Sequence, residues 1–182
     1  MRKVYLDHIA ATPPRPEVLE AMLPFFRESY GNPQSLHASG QEALQAVDEA
    51  RAKVAGLIGA ASEEIIFTAG GSESNNSALK GMALANQTRG KHIVVSAIEH
   101  ASVLNSAKAL ERFGFTTTRV SVDRFGRVDP GDVRKALTKD TVLVSVMTAN
   151  SEVGTIEPVA EDRKSTRLNS SHVTVSRMPS SA

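Results

Sequence analysis

The residues with the clearest chemical potential lie at positions 69–76, which read Ala-Gly-Gly-Ser-Glu-Ser-Asn-Asn. A short apolar run, 65–68, precedes them, and a helix-like stretch follows. The start of an α-helix has unpaired N–H groups and a partial positive charge, which together attract anions. Gly70 and Gly71 let the backbone approach an anion closely, and Ser72 adds a hydroxyl donor. The segment is consistent with a phosphate-binding turn, and equally with a helix start that a serine caps.

Two further polar segments follow predicted strands. One is Ser96–His100 and the other is Thr148–Gly154. In an open parallel sheet, ligands bind beyond the carboxyl ends of the strands, so we expect both segments to face the same crevice as Gly70–Ser72. A neutral imidazole such as that of His100 can stack on an aromatic ligand and exchange protons near neutral pH. The alternative is that His100 caps the next helix and that these loops are ordinary polar connections.

The remaining histidines outside the last 21 residues have weaker signals. His37 ends a polar turn that begins with Gly31-Asn32-Pro33, and this turn either lines the same crevice or simply joins two helices. We interpret His8 and His92 as surface or structural residues.

The elements that must position these residues alternate between strands and helices. Pro16 suits the first position of a helix that extends to Phe26, and Gly59 ends a longer helix. The pattern then predicts strands at Glu64–Thr68, His92–Ser96, Thr116–Val122 and Thr141–Thr148, with helices near 74–87, 101–113 and 130–137. Continuous β-branched runs are typical of strands that are buried on both faces. The sequence therefore predicts an α/β fold, a mainly parallel sheet with helices on both faces.

Composition excludes several classes of protein. The chain has 182 residues, 41% of them hydrophobic, which suits one ordinary globular domain. It has no cysteine, so disulfides and thiolate metal sites are excluded, and no His/Glu run has metal-ligand spacing. No apolar run is long enough for a membrane helix or a secretory signal, so we expect a cytoplasmic protein without membrane contact. The net charge of +1 comes from the last 21 residues, and we predict no direct nucleic-acid binding.

The last 21 residues, 162–182, break the pattern. They are rich in Ser, Thr and Arg and have neither helical nor strand periodicity. Their order is similar to the translation of a common sequencing-library adaptor, with Val173-Thr174-Val175 where a variable index would fall. We expect 162–182 to be a disordered, non-native tail and the gene product to continue differently beyond Glu161. The alternative is a genuine disordered terminus.

Several motifs together resemble the amino-terminal part of the pyridoxal-phosphate-dependent cysteine desulfurases, within the class V aminotransferases. The motifs are Tyr5-Leu6-Asp7 with Ala10-Ala11-Thr12-Pro13; Gly31-Asn32-Pro33 with Ser35 and His37; Phe67–Ser74 with Asn76; Glu99-His100; and Asn150–Pro158. They occur in the family's order over residues 1–161, about the first two fifths of a family member.

The resemblance implies a fold and a site. The fold is the large domain of an aspartate aminotransferase-like enzyme, truncated, with 1–13 contributing to the small domain and 14–161 forming the first part of the cofactor-binding domain. Gly71 and Ser72 occupy the positions that hold the phosphate of pyridoxal 5′-phosphate. His100 occupies the position of the catalytic histidine that stacks on the ring and is implicated in proton transfer. Asn150 and Ser151 fall where the family binds the ring hydroxyl, with Ser151 at the position of the usual asparagine.

The resemblance also implies a reaction and partners. The full-length enzyme would remove sulfur from L-cysteine, leaving L-alanine and an enzyme persulfide that supplies iron–sulfur assembly, tRNA thiolation or another acceptor protein. It would act as a homodimer. The Schiff-base lysine and the sulfur-accepting cysteine of the family are absent from this chain, so we expect the chain alone to be inactive. Two alternatives remain open: another class V enzyme, such as a selenocysteine lyase or an aminotransferase, and a non-catalytic module that binds a phosphate ligand.

Overall fold

The computed structural model describes residues 4–159 and the backbone of residues 173–175. The chain forms two compact units that meet in sequence between Phe67 and Thr68. The boundary predicted between residues 13 and 14 concerns domains of a longer protein and stays a prediction. Among the described residues, no helix combines the length and the apolar character needed to cross a bilayer.

The amino-terminal unit contains two helices, α1 (Pro16–Arg27) and α2 (Ala38–Ile58), and a short 3-10 turn at Ser62–Glu64. Proline begins α1, because its fixed φ suits a helix start and its missing N–H would have no partner there. Gly59 ends α2 in the left-handed conformation, with φ of 68°. Both helices confirm the sequence prediction.

The carboxy-terminal unit is a parallel sheet with the strand order β2-β1-β3-β4. Its elements are α3 (Gly71–Ala85), β1 (His92–Ser96), α4 (Ala101–Leu110), β2 (Thr116–Val120), α5 (Pro130–Ala136), β3 (Thr141–Ser145) and β4 (Val173–Val175). All residues of β1 and β3 are buried, as their apolar runs predict. The predicted α/β architecture with a parallel sheet is confirmed.

The core of this unit has two parts because successive strand residues point to opposite faces of the sheet. Ile93 and Val95 of β1 belong to the cluster that contains residues of α3 and α4. Val94 belongs to the other cluster, with Val133 of α5. Helices therefore cover both faces, α3 and α4 on one and α5 on the other.

Three strand predictions need correction. Glu64–Thr68 is not a strand: a 3-10 turn takes up its first residue, and residues 65–68 have no strand structure. The predicted strands Thr116–Val122 and Thr141–Thr148 end early, at Val120 and Ser145. β2 ends at Val120 because its partner is Ser96, the last residue of β1, so no ladder partner remains beyond it. β3 ends at Ser145, which pairs with Val95, one residue before the end of β1.

The tail also differs from its prediction at one place. Val173–Val175 forms β4, paired in parallel with Leu143–Ser145, although the sequence predicted no strand there. The Val-Thr-Val composition favours extended structure, and β3 offers an unpaired edge. The rest of the predicted tail lies outside the described residues, and its non-native origin stays a prediction.

Candidate functional site

The turn before α3 presents unpaired backbone donors. The helix begins at Gly71, three residues before its predicted start, and its N-cap is Gly70, so Ser72 lies in the first turn and does not cap the helix. The interpretation of Ser72 as a capping serine is therefore wrong. Within the described chain, no acceptor meets the N–H groups of Gly71, Ser72 and Glu73, whereas Ser74 N–H already donates to the Gly70 carbonyl.

The side chains of this turn hold its shape and leave the donors open. Glu73 Oε2 accepts a hydrogen bond from Ala69 N–H at 2.6 Å, and the hydroxyls of Thr68 and Ser74 lie 2.6 Å apart. Ser72 is exposed, and its hydroxyl contacts no other described polar group. Three N–H groups, a free hydroxyl and the positive end of a 15-residue helix together form a seat for an anion.

His100 lies at the start of the next helix, α4. Its Nδ1 accepts a hydrogen bond from Ser102 N–H at 3.1 Å, so the histidine does cap the helix, as one interpretation of the sequence held. The ring is exposed and stands at the carboxyl end of β1, the edge where the sheet is expected to bind ligands. Capping occupies Nδ1 and leaves Nε2 available, so the two interpretations of His100 are compatible.

A chain of hydrogen bonds joins the starts of α3 and α4. Asn75 Nδ2 donates to Ser102 Oγ at 2.7 Å, and Ser102 Oγ lies 2.7 Å from His100 Nδ1. Asn75 is only 7% exposed and sits one turn after Gly71. The anion seat and the histidine are therefore held by one short network between two packed helices.

Asn150 organises the loop that follows β3. Its Oδ1 accepts from Glu152 N–H and Val153 N–H, and its Nδ2 donates to the Ile98 carbonyl at 3.2 Å. The last contact links this loop to the segment just before His100. Because the amide of Asn150 is fully engaged, its predicted role as a cofactor ligand would require these contacts to break, and that role stays a prediction.

Ser151 occupies a different environment at the tip of the same loop. The loop closes through the bridge between Ala149 and Ile156 and the hydrogen bond from Asn150 N–H to the Thr155 carbonyl. Ser151 is exposed, and its hydroxyl engages no other described side chain or backbone group. Of the two predicted ligands in this loop, Ser151 is the one whose polar group is free.

His92 and His37 are structural in the described chain. His92 is 7% exposed, with Nδ1 2.7 Å from Thr141 Oγ1 and Nε2 2.8 Å from Thr118 Oγ1. Burial lowers the pKa of His92, and Asp140 opposes that shift. It borders an open cavity of about 540 Å³ at the amino ends of the strands, the edge opposite the anion seat. His37 caps α2 by accepting from Gly40 N–H at 3.4 Å, as the helix-joining interpretation of its turn implies.

Sequence reasoning missed Asn75 and Ser102. A signal for Asn75 was available, since it falls on the same helix face as the apolar residues Leu79 and Ala83. A polar residue on a buried face is normally hydrogen-bonded, which marks it for attention. Ser102 gave no such signal, because its contact with Asn75 depends on how the two helices pack.

Comparison with known protein families gives one clear match. The sequence profile of the aminotransferase class V family matches residues 4–175, most of the chain. This match covers the anion seat, His100 and the loop at Ser151.

Similar curated proteins and solved structures agree with that match. The chain is 57% identical over 160 residues to the cysteine desulfurase IscS of Dictyoglomus turgidum, and 50% identical over 161 residues to a putative cysteine desulfurase of Bacillus subtilis. These alignments cover 88% of this chain but only 41% and 42% of the relatives. The chain thus spans about two fifths of their length.

Two solved structures have the same fold. One is a NifS-like protein, with a TM-score of 0.93 and 39% identity, matched over 99% of this chain and 50% of its own. The other is SspA in complex with cysteine, with a TM-score of 0.87 and 35% identity, matched over 93% of this chain and 49% of its own. The sequence identity of both structures to this chain, 39% and 35%, is high enough to support the family match as well as the fold.

Proposed function

This chain belongs to the class V aminotransferase family, and we propose that it forms the amino-terminal part of a cysteine desulfurase that uses pyridoxal 5′-phosphate. The proposed reaction converts L-cysteine to L-alanine and transfers the sulfur to an enzyme cysteine as a persulfide. The names of the similar curated proteins support this choice over an aminotransferase.

The observation that carries the proposal is the set of free donors at the start of α3. A phosphate monoester needs several hydrogen bonds and a positive field, and the N–H groups of Gly71, Ser72 and Glu73 supply both. Gly70 adds open space, since a Cβ built on it would meet no atom within 4 Å. The residues present therefore fit the phosphate end of the cofactor.

The other residues suit the rest of the cofactor. We assign the exposed ring of His100 to stack on the pyridine ring, and the Ser151 hydroxyl to bind the ring's hydroxyl group. The bound pyridine ring would supply the electron-withdrawing group that the reaction needs. The residues of this chain would orient that ring: the start of α3 holds the phosphate, and His100 lies across the face of the ring.

The chain by itself should not complete a turnover. It contains no cysteine, so no persulfide can form on it. In this proposal the lysine that binds the cofactor covalently, and the aspartate and arginine that contact the ring nitrogen and the substrate carboxylate, lie in a further part of the protein. We expect the 182-residue chain to yield no more alanine from L-cysteine than free pyridoxal phosphate does.

A chimera tests the proposed function directly. Residues 1–161 would replace the matching segment of the Dictyoglomus turgidum desulfurase, which is 57% identical there. We expect the chimera to bind pyridoxal phosphate and to convert L-cysteine to alanine, with the persulfide sulfur released as sulfide when a dithiol reductant is added. Ser72→Ala should weaken cofactor binding about tenfold or more, because it removes a hydrogen bond to a charged group.

The parent desulfurase and its own matching serine or threonine variant serve as controls. A chimera that melts like the parent and binds the cofactor, yet leaves L-cysteine unchanged, would contradict the proposal. Activity with L-selenocysteine alone would instead favour a selenocysteine lyase, and transamination without sulfide would favour an aminotransferase.

The partners follow from the same proposal. We propose L-cysteine as substrate, a homodimer as the assembled state of the whole protein, a separate sulfur-acceptor protein and a cytoplasmic location. Sedimentation of the chimera at several concentrations tests the dimer.

A further inference from the structure

The contacts of His100 determine which of its nitrogens carries the proton. Nδ1 lies 3.1 Å from Ser102 N, in the geometry of a hydrogen bond in which the backbone N–H donates. A backbone N–H can only donate, so Nδ1 must offer a lone pair. In a neutral imidazole the proton is then on Nε2.

A second donor reaches the same nitrogen. Ser102 Oγ lies 2.7 Å from Nδ1 and accepts a hydrogen bond from Asn75 Nδ2, also at 2.7 Å. Since Nδ1 already offers its lone pair to Ser102 N–H, the hydroxyl of Ser102 must be the donor in its contact with Nδ1. Both the backbone and the side chain of Ser102 therefore disfavour a proton on Nδ1.

The network is rigid at its far end. Asn75 is 7% exposed and lies on the face of α3 that carries Leu79 and Ala83, both fully buried. No other hydrogen bond of the Asn75 side chain occurs within the described chain, so the amide serves Ser102 alone.

We propose that Asn75 and Ser102 are positioning residues that hold His100 as the Nε2–H tautomer, so that its free nitrogen donates a hydrogen bond into the crevice and does not accept a proton. This inference rests on the proposed function and deepens it by assigning the direction of the hydrogen bond. Nε2 could take up a proton only in the Nδ1–H tautomer, in which Nδ1 could no longer accept the hydrogen bond that caps α4. Another group must therefore remove the substrate proton.

The first test is independent of activity. Nitrogen-15 NMR of the imidazoles in the cofactor-free 182-residue chain distinguishes the two tautomers, and a His100→Gln variant assigns the signal. We expect the Nε2–H form to dominate. Asn75→Asp should raise the Nδ1–H fraction, because a carboxylate accepts the Ser102 proton and turns Ser102 Oγ into an acceptor for Nδ1–H. Ser102→Ala should raise it less, and Ser102→Thr should retain the original tautomer.

Asn76→Asp is the matched control, because it makes the same substitution on the next residue of α3, whose side chain bonds the Ser72 carbonyl. It should leave the His100 tautomer unchanged. A dominant Nδ1–H form in the unsubstituted chain would overturn the proposal. So would equal responses to Asn75→Asp and Asn76→Asp. If Asn75→Asp does not fold, the comparison of Ser102→Ala with Ser102→Thr tests the proposal in its place: equal tautomer populations in these two variants would overturn it.

The second test uses the chimera. Asn75→Asp should lower kcat roughly tenfold while KM changes less than about twofold, since the histidine is mispositioned for the reaction and the phosphate seat is intact. A tautomer change without loss of kcat would overturn the positioning role. Failure of the proposed function would look different. The unsubstituted chimera would then lack desulfurase activity, while the His100 tautomer in the 182-residue chain would still respond to the substitutions as expected.

Discussion

Single polar residues at low exposure make connecting hydrogen bonds in the sheet, in one loop and between helices. His92 is bonded through both ring nitrogens, and Asn150 through both amide atoms. Asn75 joins two helices through one contact. Buried polar groups are stable only when their hydrogen bonds are satisfied, so each of these residues has an exact set of partners that a substitution would disturb.

His92 gives a prediction about pH. Burial lowers its pKa, so the folded chain disfavours the charged form relative to the unfolded chain, whose histidine titrates near about 6.5. The unfolded state binds more protons below that pH. The contribution of neutral His92 to stability should therefore be fully present above pH 6.5 and be lost as the pH falls through the folded pKa. Each unit of lowered pKa is worth about 1.4 kcal/mol. Hydrogen exchange of the β1 amides at pH 7.5 and 5.5 measures this loss.

His92→Gln should reduce the dependence on pH, because glutamine does not titrate. His8→Gln, which replaces an exposed histidine, is the control and should leave the dependence as it is. An equal loss of protection in the unsubstituted chain and in His92→Gln would show that other groups cause the acid sensitivity.

At the residue scale, the sequence was a good guide to local chemistry and a poor one to tertiary contacts. Gly71, Ser72 and His100 could be chosen because a glycine turn and a histidine after a strand have a local meaning. The contact between Asn75 and Ser102 joins residues 27 positions apart, and only helix packing brings them together. Their role therefore needed the structure.

Helices and strands differ in what limits them. Helix ends are set by local residues, such as Gly59 after α2 and Asp129, which accepts from Gly131 N–H at the start of α5. Their positions could therefore be predicted to within a few residues. Strand ends depend on neighbouring strands, and this is why the segment Glu64–Thr68 and the end of β2 were predicted wrongly.

Two glycines near the end of α2 provide a matched pair of predictions. Gly59→Ala should destabilise the chain by about 1–2 kcal/mol, because φ at Gly59 is 68° and an L-residue is strained there. Gly56→Ala should stabilise it by about 0.5–1 kcal/mol, because Gly56 lies inside the helix and an added Cβ meets no atom within 4 Å. Urea unfolding followed by circular dichroism measures both. Equal signs for the two substitutions would contradict this account of the helix end.

For the whole chain, the important feature is the distribution of buried strands. β1 and β3 lie inside the four-stranded sheet, and every residue in them is buried. β3 has β1 on one side and only the three-residue β4 on the other. An apolar strand with an open edge is prone to pair with another chain, so we expect β4 to reduce such association.

Truncation tests that protection. A chain ending at residue 172 lacks β4, whereas a chain ending at residue 175 keeps it. We expect the shorter chain to lose soluble protein faster on incubation, because the edge of β3 at Leu143–Ser145 becomes unpaired. Light scattering and sedimentation at matched concentrations measure the difference. Identical behaviour of the two chains would mean that β4 contributes nothing to solubility.

The double use of His100 has a consequence for how this position can vary among homologues. Its Nδ1 completes the first turn of α4, so a replacement that lacks an acceptor would weaken the helix even where no ligand is bound. Asparagine or aspartate would keep the turn but lose the flat ring. Selection for folding and selection for chemistry therefore act on the same side chain. Among homologues, this position should change to asparagine or aspartate before it changes to any apolar residue.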